Sequence, residues 1–149
     1  MKYKHIIWDW NGTLLDDTWL CVEGINNSLK KRSLQKITKE LYRKVFSFPV
    51  EDYYKRLGFD FKKEPFEVAG DEFVAYYAKF FHKVKLHNDV FEVLESLGST
   101  GFSQSILSAG KQEYLNQWVQ VHGLSEFFTI IRGIDCLLYT SDAADEMRR

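Results

Sequence analysis

The sequence predicts an α/β protein: a parallel sheet with helical crossovers, interrupted early by an all-helical insertion. Three observations carry this expectation. The apolar run Ile6-Ile7-Trp8 ends in Asp9 and a turn containing Gly12. Two later segments read as strands, Phe102 to Leu107 and Phe128-Thr129-Ile130-Ile131, and are separated by a helical pattern over 111–122. Residues 17–87 lack the period of two and carry helical periodicity alone.

Each element has its own signal. Residues 17–32 place Val22, Ile25 and Leu29 on one helical face. Thr38 suits the cap of a short helix bearing Leu41, Tyr42 and Val45. Pro49 suits the first position of the next helix, which runs through Tyr53, Tyr54 and Leu57 and is closed by Gly58. Phe66, Phe73, Tyr76, Tyr77, Phe80, Phe81 and Val84 follow a helical period and predict the longest helix. Asn88 is read as the cap of a helix with Val90, Leu94 and Leu97, ending at Gly98 or Gly101. In the pattern over 111–122, Leu115, Trp118 and Val119 face inward, and Gly123 stops the helix. Strands joined in this way pair in parallel through right-handed crossovers.

The last segment, from Cys136 to Glu146, has no apolar period and reads as the translation of a transposon-end sequencing adapter. Residues 136–149 are therefore expected to be a non-native tail, excluded from fold reasoning, on a chain truncated at Asp135. The expected organisation is an incomplete core at 1–16 and 88–135 around an insertion at 17–87.

Composition excludes several classes. With 45% hydrophobic and 28% charged residues the chain is of ordinary globular type. It has no apolar run of about 18 residues, so no membrane span is expected. Excluding the tail leaves Cys21 alone, hence no disulfide framework and an expected cytoplasmic location. Residues 17–88 hold 14 Lys and Arg against 10 Asp and Glu, far from a nucleic-acid footprint. Between Tyr42 and Phe81 lie 13 aromatics, whose helical spacing favours core packing over base stacking. His5, His82, His87 and His122 show no zinc spacing.

The chemistry concentrates in Asp9-Trp10-Asn11-Gly12-Thr13-Leu14. A carboxylate delivered to the C-terminal end of a parallel strand stands where open α/β sheets bind ligands. Gly12 and Thr13 can turn the backbone and present N–H groups to an anion. The bland alternative is a strand end followed by a common Asn-Gly turn. Farther on, Ser108-Ala109-Gly110 follows the second strand, where a serine most often caps a helix. Lys111 is read as an exposed surface lysine.

Taken together these segments resemble the haloacid dehalogenase (HAD) superfamily, whose first motif is Asp-x-Asp-Gly-Thr-Leu. The resemblance covers residues 1–135. In the insertion, Phe46-Ser47-Phe48-Pro49-Val50 with Tyr53-Tyr54 and Leu57-Gly58-Phe59 resembles the phosphoglycolate phosphatase branch. It implies a HAD-type Rossmann-like sheet, three strands of it present, with the insertion as a helical cap that closes over substrate. It implies Asp9 as the nucleophile that becomes an aspartyl-phosphate and as a Mg²⁺ ligand, with the Asn11 carbonyl as a second ligand. Gly12, Thr13, Ser108 and Ala109 would hold the phosphate. The implied substrate is a small phosphorylated metabolite, a phosphate monoester.

Two departures qualify this. Asn11 replaces the second Asp of the motif, which in the family protonates the leaving alcohol, and losing such help costs about 10²–10⁴-fold. The family's later Lys and acidic metal ligands are absent, so the 149-residue chain itself is expected to be inactive. The alternatives are a sugar-phosphate mutase, a phosphonate hydrolase, or a non-catalytic phosphate-binding protein on the same scaffold.

Overall fold

The structure is a computed structural model that describes residues 4–134. The expected non-native tail at 136–149 lies outside the described residues. The elements in chain order are β1 (His5–Trp8), β2 (Leu15–Asp16), α1 (Thr18–Lys31), α2 (Lys39–Val45), α3 (Val50–Arg56) and α4 (Phe66–Phe80). After a 3₁₀ turn at Phe81–Lys83 come β3 (Lys85–Leu86), α5 (Val90–Ser99), β4 (Ser103–Leu107), α6 (Gln112–Val121) and β5 (Ile130–Arg132). The chain divides into two compact units, one of residues up to Asp16 and from Lys85 onward, the other Asp17–Val84.

In the first unit, β1, β4 and β5 form a parallel sheet in the order β1-β4-β5. Parallel pairing follows from the helical crossovers α5 and α6, as the strand–helix alternation requires. The register places Trp8 opposite Ile106 and Leu107 opposite Arg132, so the strands end almost level. Val90 and Leu94 of α5, and Leu115 and Val119 of α6, are buried at the expected helical spacing. Trp118 is only partly buried. Gly123 has φ 71° and Gly101 has φ 87°, the left-handed conformation that ends a helix without a Cβ penalty.

Several boundaries differ from expectation. Lys85–Leu86 is a strand, paired antiparallel with Leu15–Asp16, although 17–87 reads as wholly helical in sequence. Two-residue strands are too short to show a period of two, which is why the pattern hides them. Asp89, not Asn88, occupies the N-cap of α5. Pro49, expected at the first helical position, sits at the N-cap of α3, one residue before the helix begins at Val50. The third strand of the parallel sheet begins at Ile130, because the chain up to Phe128 is taken up by a 3₁₀ turn; the Thr129 N–H already reaches β4, donating to the Gln104 carbonyl at 2.8 Å.

The second unit is helical, and α4, at 15 residues, is its longest element. The Thr38 hydroxyl accepts from the Leu41 N–H at 3.2 Å and caps α2, as the sequence indicates. Gly58, with φ 96°, closes the turn after α3. Ile25, Leu29, Ile37, Tyr53, Tyr54, Phe59 and Ala69 form its buried core. On its surface Arg32 bonds Glu72 at 2.9 Å and also pairs with Glu64. Burial opposes ionisation of Glu72, but hydrogen bonds from Arg32, Lys31 and Ser28 prevail and lower its pKa.

Candidate functional site

The candidate site forms where β1 and β4 end together. Apolar residues and their hydrogen-bonded ladder fix β1 beside β4, so Asp9 follows Trp8 and Ser108 follows Leu107 at the same edge of the sheet. Asp9 is exposed, whereas Ser108 is 2% exposed. Local sequence could name both residues, but only strand pairing brings positions so far apart in the chain together.

The loop after Asp9 is a tight turn built on one carbonyl. The Trp10 carbonyl accepts from the N–H groups of Thr13 at 3.3 Å, Leu14 at 3.1 Å and Leu15 at 3.0 Å. Trp10 itself is fully buried and anchors the turn from below. Gly12 adopts φ 72°, which a Cβ would strain. The Thr13 hydroxyl donates to Asp9 Oδ2 at 3.1 Å, holding one carboxylate oxygen in place. In this turn the Thr13 N–H faces the Trp10 carbonyl, and its side chain is the group that reaches Asp9.

The opposite wall is the Ser108–Gly110 loop. Ser108 Oγ accepts from the Gly110 N–H at 3.0 Å. A Cβ placed on Gly110 would lie 3.3 Å from Ser108 Oγ and 3.9 Å from Asn11 Oδ1. Asn11 and Ser108 therefore flank the same glycine, and the structure brings together Asp9, Asn11, Thr13 and Ser108. Ala109 is exposed on this loop, and Lys111 is exposed at the N-cap of α6. A cavity of about 140 Å³ adjoins Thr13 and is also lined by Trp8, Leu14, His87 and Asp89. Neither His87 nor Asp89 is foreseen there, because their place depends on the β2–β3 pairing that sequence periodicity hides.

Among the described residues no three His, Cys, Asp or Glu side chains lie close enough to hold a metal by themselves. The donors that could serve at this edge are oxygens, the Asp9 carboxylate and the hydroxyls of Thr13 and Ser108. Such a partial oxygen set suits Mg²⁺, which binds through one or two carboxylates and keeps several waters.

Sequence reasoning missed two residues that shape the Ser108 loop. The Gln112 side chain accepts from the Gly133 N–H at 2.7 Å and donates to the Ile131 carbonyl at 3.1 Å. Gly133 leaves no room for a side chain, since a Cβ would stand 2.5 Å from the Gly110 carbonyl oxygen. A Gln beginning a helix and a Gly after a strand carry no such signal in sequence.

A profile of the haloacid dehalogenase-like hydrolases matches residues 6–138. Among curated proteins the chain is similar to the pyrophosphatase PpaX of Halalkalibacterium halodurans, 25% identical over 140 residues, covering 91% of this chain and 61% of that protein. The chain spans about three fifths of the length of the curated relatives it matches. Among solved structures it resembles a haloacid dehalogenase-like hydrolase from Streptococcus pneumoniae, with a TM-score of 0.72 and 20% identity, over 88% of this chain and 61% of that one. It also resembles a predicted phosphoglycolate phosphatase from Haemophilus somnus, with a TM-score of 0.72 and 20% identity, over 89% and 63% of the two chains.

Proposed function

The chain belongs to the haloacid dehalogenase-like hydrolase family, and from that premise we propose that the whole protein is a phosphatase acting through Asp9. Its substrate in this reading is a small phosphate monoester of the phosphoglycolate type. The observation that supports it most is the meeting of Asp9, held by the Thr13 hydroxyl, with Ser108 at one edge of the sheet. Related proteins named pyrophosphatase and phosphoglycolate phosphatase support the reaction class.

In this reading the Asp9 carboxylate attacks phosphorus, the bond to the leaving oxygen breaks, and the phosphoryl group rests on Asp9 as an acyl phosphate. Water then cleaves the acyl phosphate and regenerates the carboxylate. The Ser108 hydroxyl and the main chain of the Gly12 turn hold the phosphoryl oxygens. Asp9 and the Asn11 carbonyl would hold Mg²⁺, which supplies charge neutralisation at those oxygens. Asn11 offers an amide where an acid would protonate the leaving group. Turnover is consequently slow. The cytoplasm is the proposed location.

Beryllium fluoride with Mg²⁺ tests this, because it mimics an acyl phosphate on a carboxylate. Fluorine NMR of the chain is expected to show a bound signal that Asp9→Asn abolishes. A wild-type chain with no bound signal, or a signal that survives Asp9→Asn, would overturn the assignment of Asp9. In a longer form carrying the missing elements, Asn11→Asp is expected to raise kcat by about 10²-fold or more for esters with poor leaving groups.

A further inference from the structure

Four successive residues after the middle of β5 are stitched to the loop that follows β4. The Ile131 carbonyl accepts from Gln112 Nε2 at 3.1 Å. The Arg132 carbonyl accepts from the Ser108 N–H at 2.9 Å. The Gly133 N–H donates to Gln112 Oε1 at 2.7 Å, and the Ile134 N–H donates to the Gly110 carbonyl at 2.9 Å. Two of these four links come from the one side chain of Gln112. Its orientation is dictated by the main chain, since the Gly133 N–H can only donate and the Ile131 carbonyl can only accept. The second Nε2 hydrogen goes to Asn116 Oδ1 at 2.9 Å, one turn farther along α6, which fixes the rotamer.

The paired register of β4 and β5 ends at Leu107 and Arg132. Beyond that rung the side chain of Gln112 takes over the holding of the strand. The fit is close: a Cβ on Gly133 would meet the Gly110 carbonyl oxygen at 2.5 Å, Gln112 N at 2.7 Å and Gln112 Cα at 2.8 Å. These are main-chain atoms and cannot turn aside. The same Gly110 gives its N–H to Ser108 Oγ at 3.0 Å, so whatever positions Gly110 also aims the Ser108 hydroxyl.

We propose that Gln112 is a positioning residue for the phosphate-binding loop: by clasping Ile131 and Gly133 it holds Gly110, and through Gly110 it orients Ser108 toward the phosphoryl group. The inference rests on the phosphatase reading of Asp9 and Ser108. It predicts an effect on anion affinity that exceeds any effect on folding, because α6 keeps its buried Leu115 and Val119 without the clasp.

The test uses the 149-residue chain, inorganic phosphate with Mg²⁺ as the probe, and two variants. Gln112→Met keeps the length and removes both bonds. Gln112→Glu keeps the acceptor for the Gly133 N–H. Amide NMR reads phosphate affinity at Gly12, Thr13 and Gly110, and hydrogen exchange reads the Gly133 and Ile134 amides. Groups that orient a ligating residue typically matter about 10–100-fold, and a loss of that order is expected for Gln112→Met, partly restored in Gln112→Glu. Faster exchange at Gly133 and Ile134 with unchanged phosphate affinity would overturn the proposal and leave Gln112 a strand staple. Should Gln112→Met fail to fold, Gln112→Glu decides: phosphate affinity below wild type supports the clasp, and wild-type affinity overturns it. A wild-type chain whose turn amides ignore phosphate would bring down the phosphatase reading and this inference together. A responsive wild type, with affinity weakened most in Gln112→Met and less in Gln112→Glu, supports both.

Discussion

In the Asp17–Val84 unit a cluster of rings packs beside aliphatic side chains in the interior, whereas the sheet unit joins its two longest strands through polar side chains. Tyr54 lies 5.6 Å from the Tyr53 ring, 4.8 Å from Phe59 and 5.5 Å from Phe66, measured between centroids. Such contacts add to area burial and accept small shifts in angle. Between β1 and β4 the Gln104 side chain, 2% exposed, accepts from Trp8 Nε1 at 2.9 Å and donates to the Leu94 carbonyl at 2.9 Å. The His5 ring bonds the hydroxyls of Ser103 at 2.7 Å and Ser105 at 2.8 Å. Directional bonds fix the register of the strands whose ends carry Asp9 and Ser108. Apolar packing tolerates repacking, while a polar network is either satisfied or costly. The unit that carries the candidate chemistry is the one held by the less forgiving interactions.

The largest effect that could break this comparison is Tyr54→Ala. It opens a cavity among the three rings of Tyr53, Phe59 and Phe66 and is expected to cost about 3–5 kcal/mol, read by urea denaturation with probes in each unit. A loss below about 1 kcal/mol would show that the ring cluster packs loosely. Next comes Gln104→Met, similar in volume but unable to bond. It strands the Trp8 N–H and the Leu94 carbonyl, each orphan costing about 1–3 kcal/mol. Chemical denaturation would measure it, and a neutral result would mean the polar network contributes register without stability.

The smallest expected effect concerns His122, at the end of α6, whose ring centroid is 6.1 Å from Trp10 beneath the Asp9 turn. Burial lowers its pKa from the ordinary 6.5. The unfolded chain therefore binds the proton more readily than the folded one, and stability falls as pH drops from 6.5 through the lowered folded value. His122→Gln is expected to flatten that part of a Tm–pH profile. An unchanged slope would assign the acid sensitivity to other groups. Two titratable groups of the helical unit do not contribute in this range. The Cys21 thiol is pushed up to about 12 by burial and then by Asp17. The Tyr54 hydroxyl is raised, first by burial.

Particular residues show how far the sequence could be read. The helices of both units were legible because each needs only its own apolar spacing: Ile25 and Leu29, Leu115 and Val119 are buried as their periods require. Asp9 and Gly12 were legible because a carboxylate and a left-handed glycine directly after an apolar run form a local pattern. Thr13 was half legible, since the pattern marked the residue but not which of its groups faces Asp9. Asp17 illustrates what was hidden. It is 1% exposed and accepts from the Tyr77 hydroxyl at 2.7 Å across 60 residues of chain, a pairing no window of sequence contains.

The sequence by itself determined the alternation of strands and helices, the turn after Asp9 and the polar residue at the end of β4. These follow from backbone sterics and apolar periodicity, which act within about one or two turns of chain. Only the tertiary structure decided that Asp9 and Ser108 stand at one edge and that Lys85–Leu86 pairs with Leu15–Asp16. It likewise decided that Gln112 clasps Ile131 and Gly133. Each of these depends on hydrogen bonds and close approaches between segments far apart in the chain, whose geometry exists only once the sheet has formed.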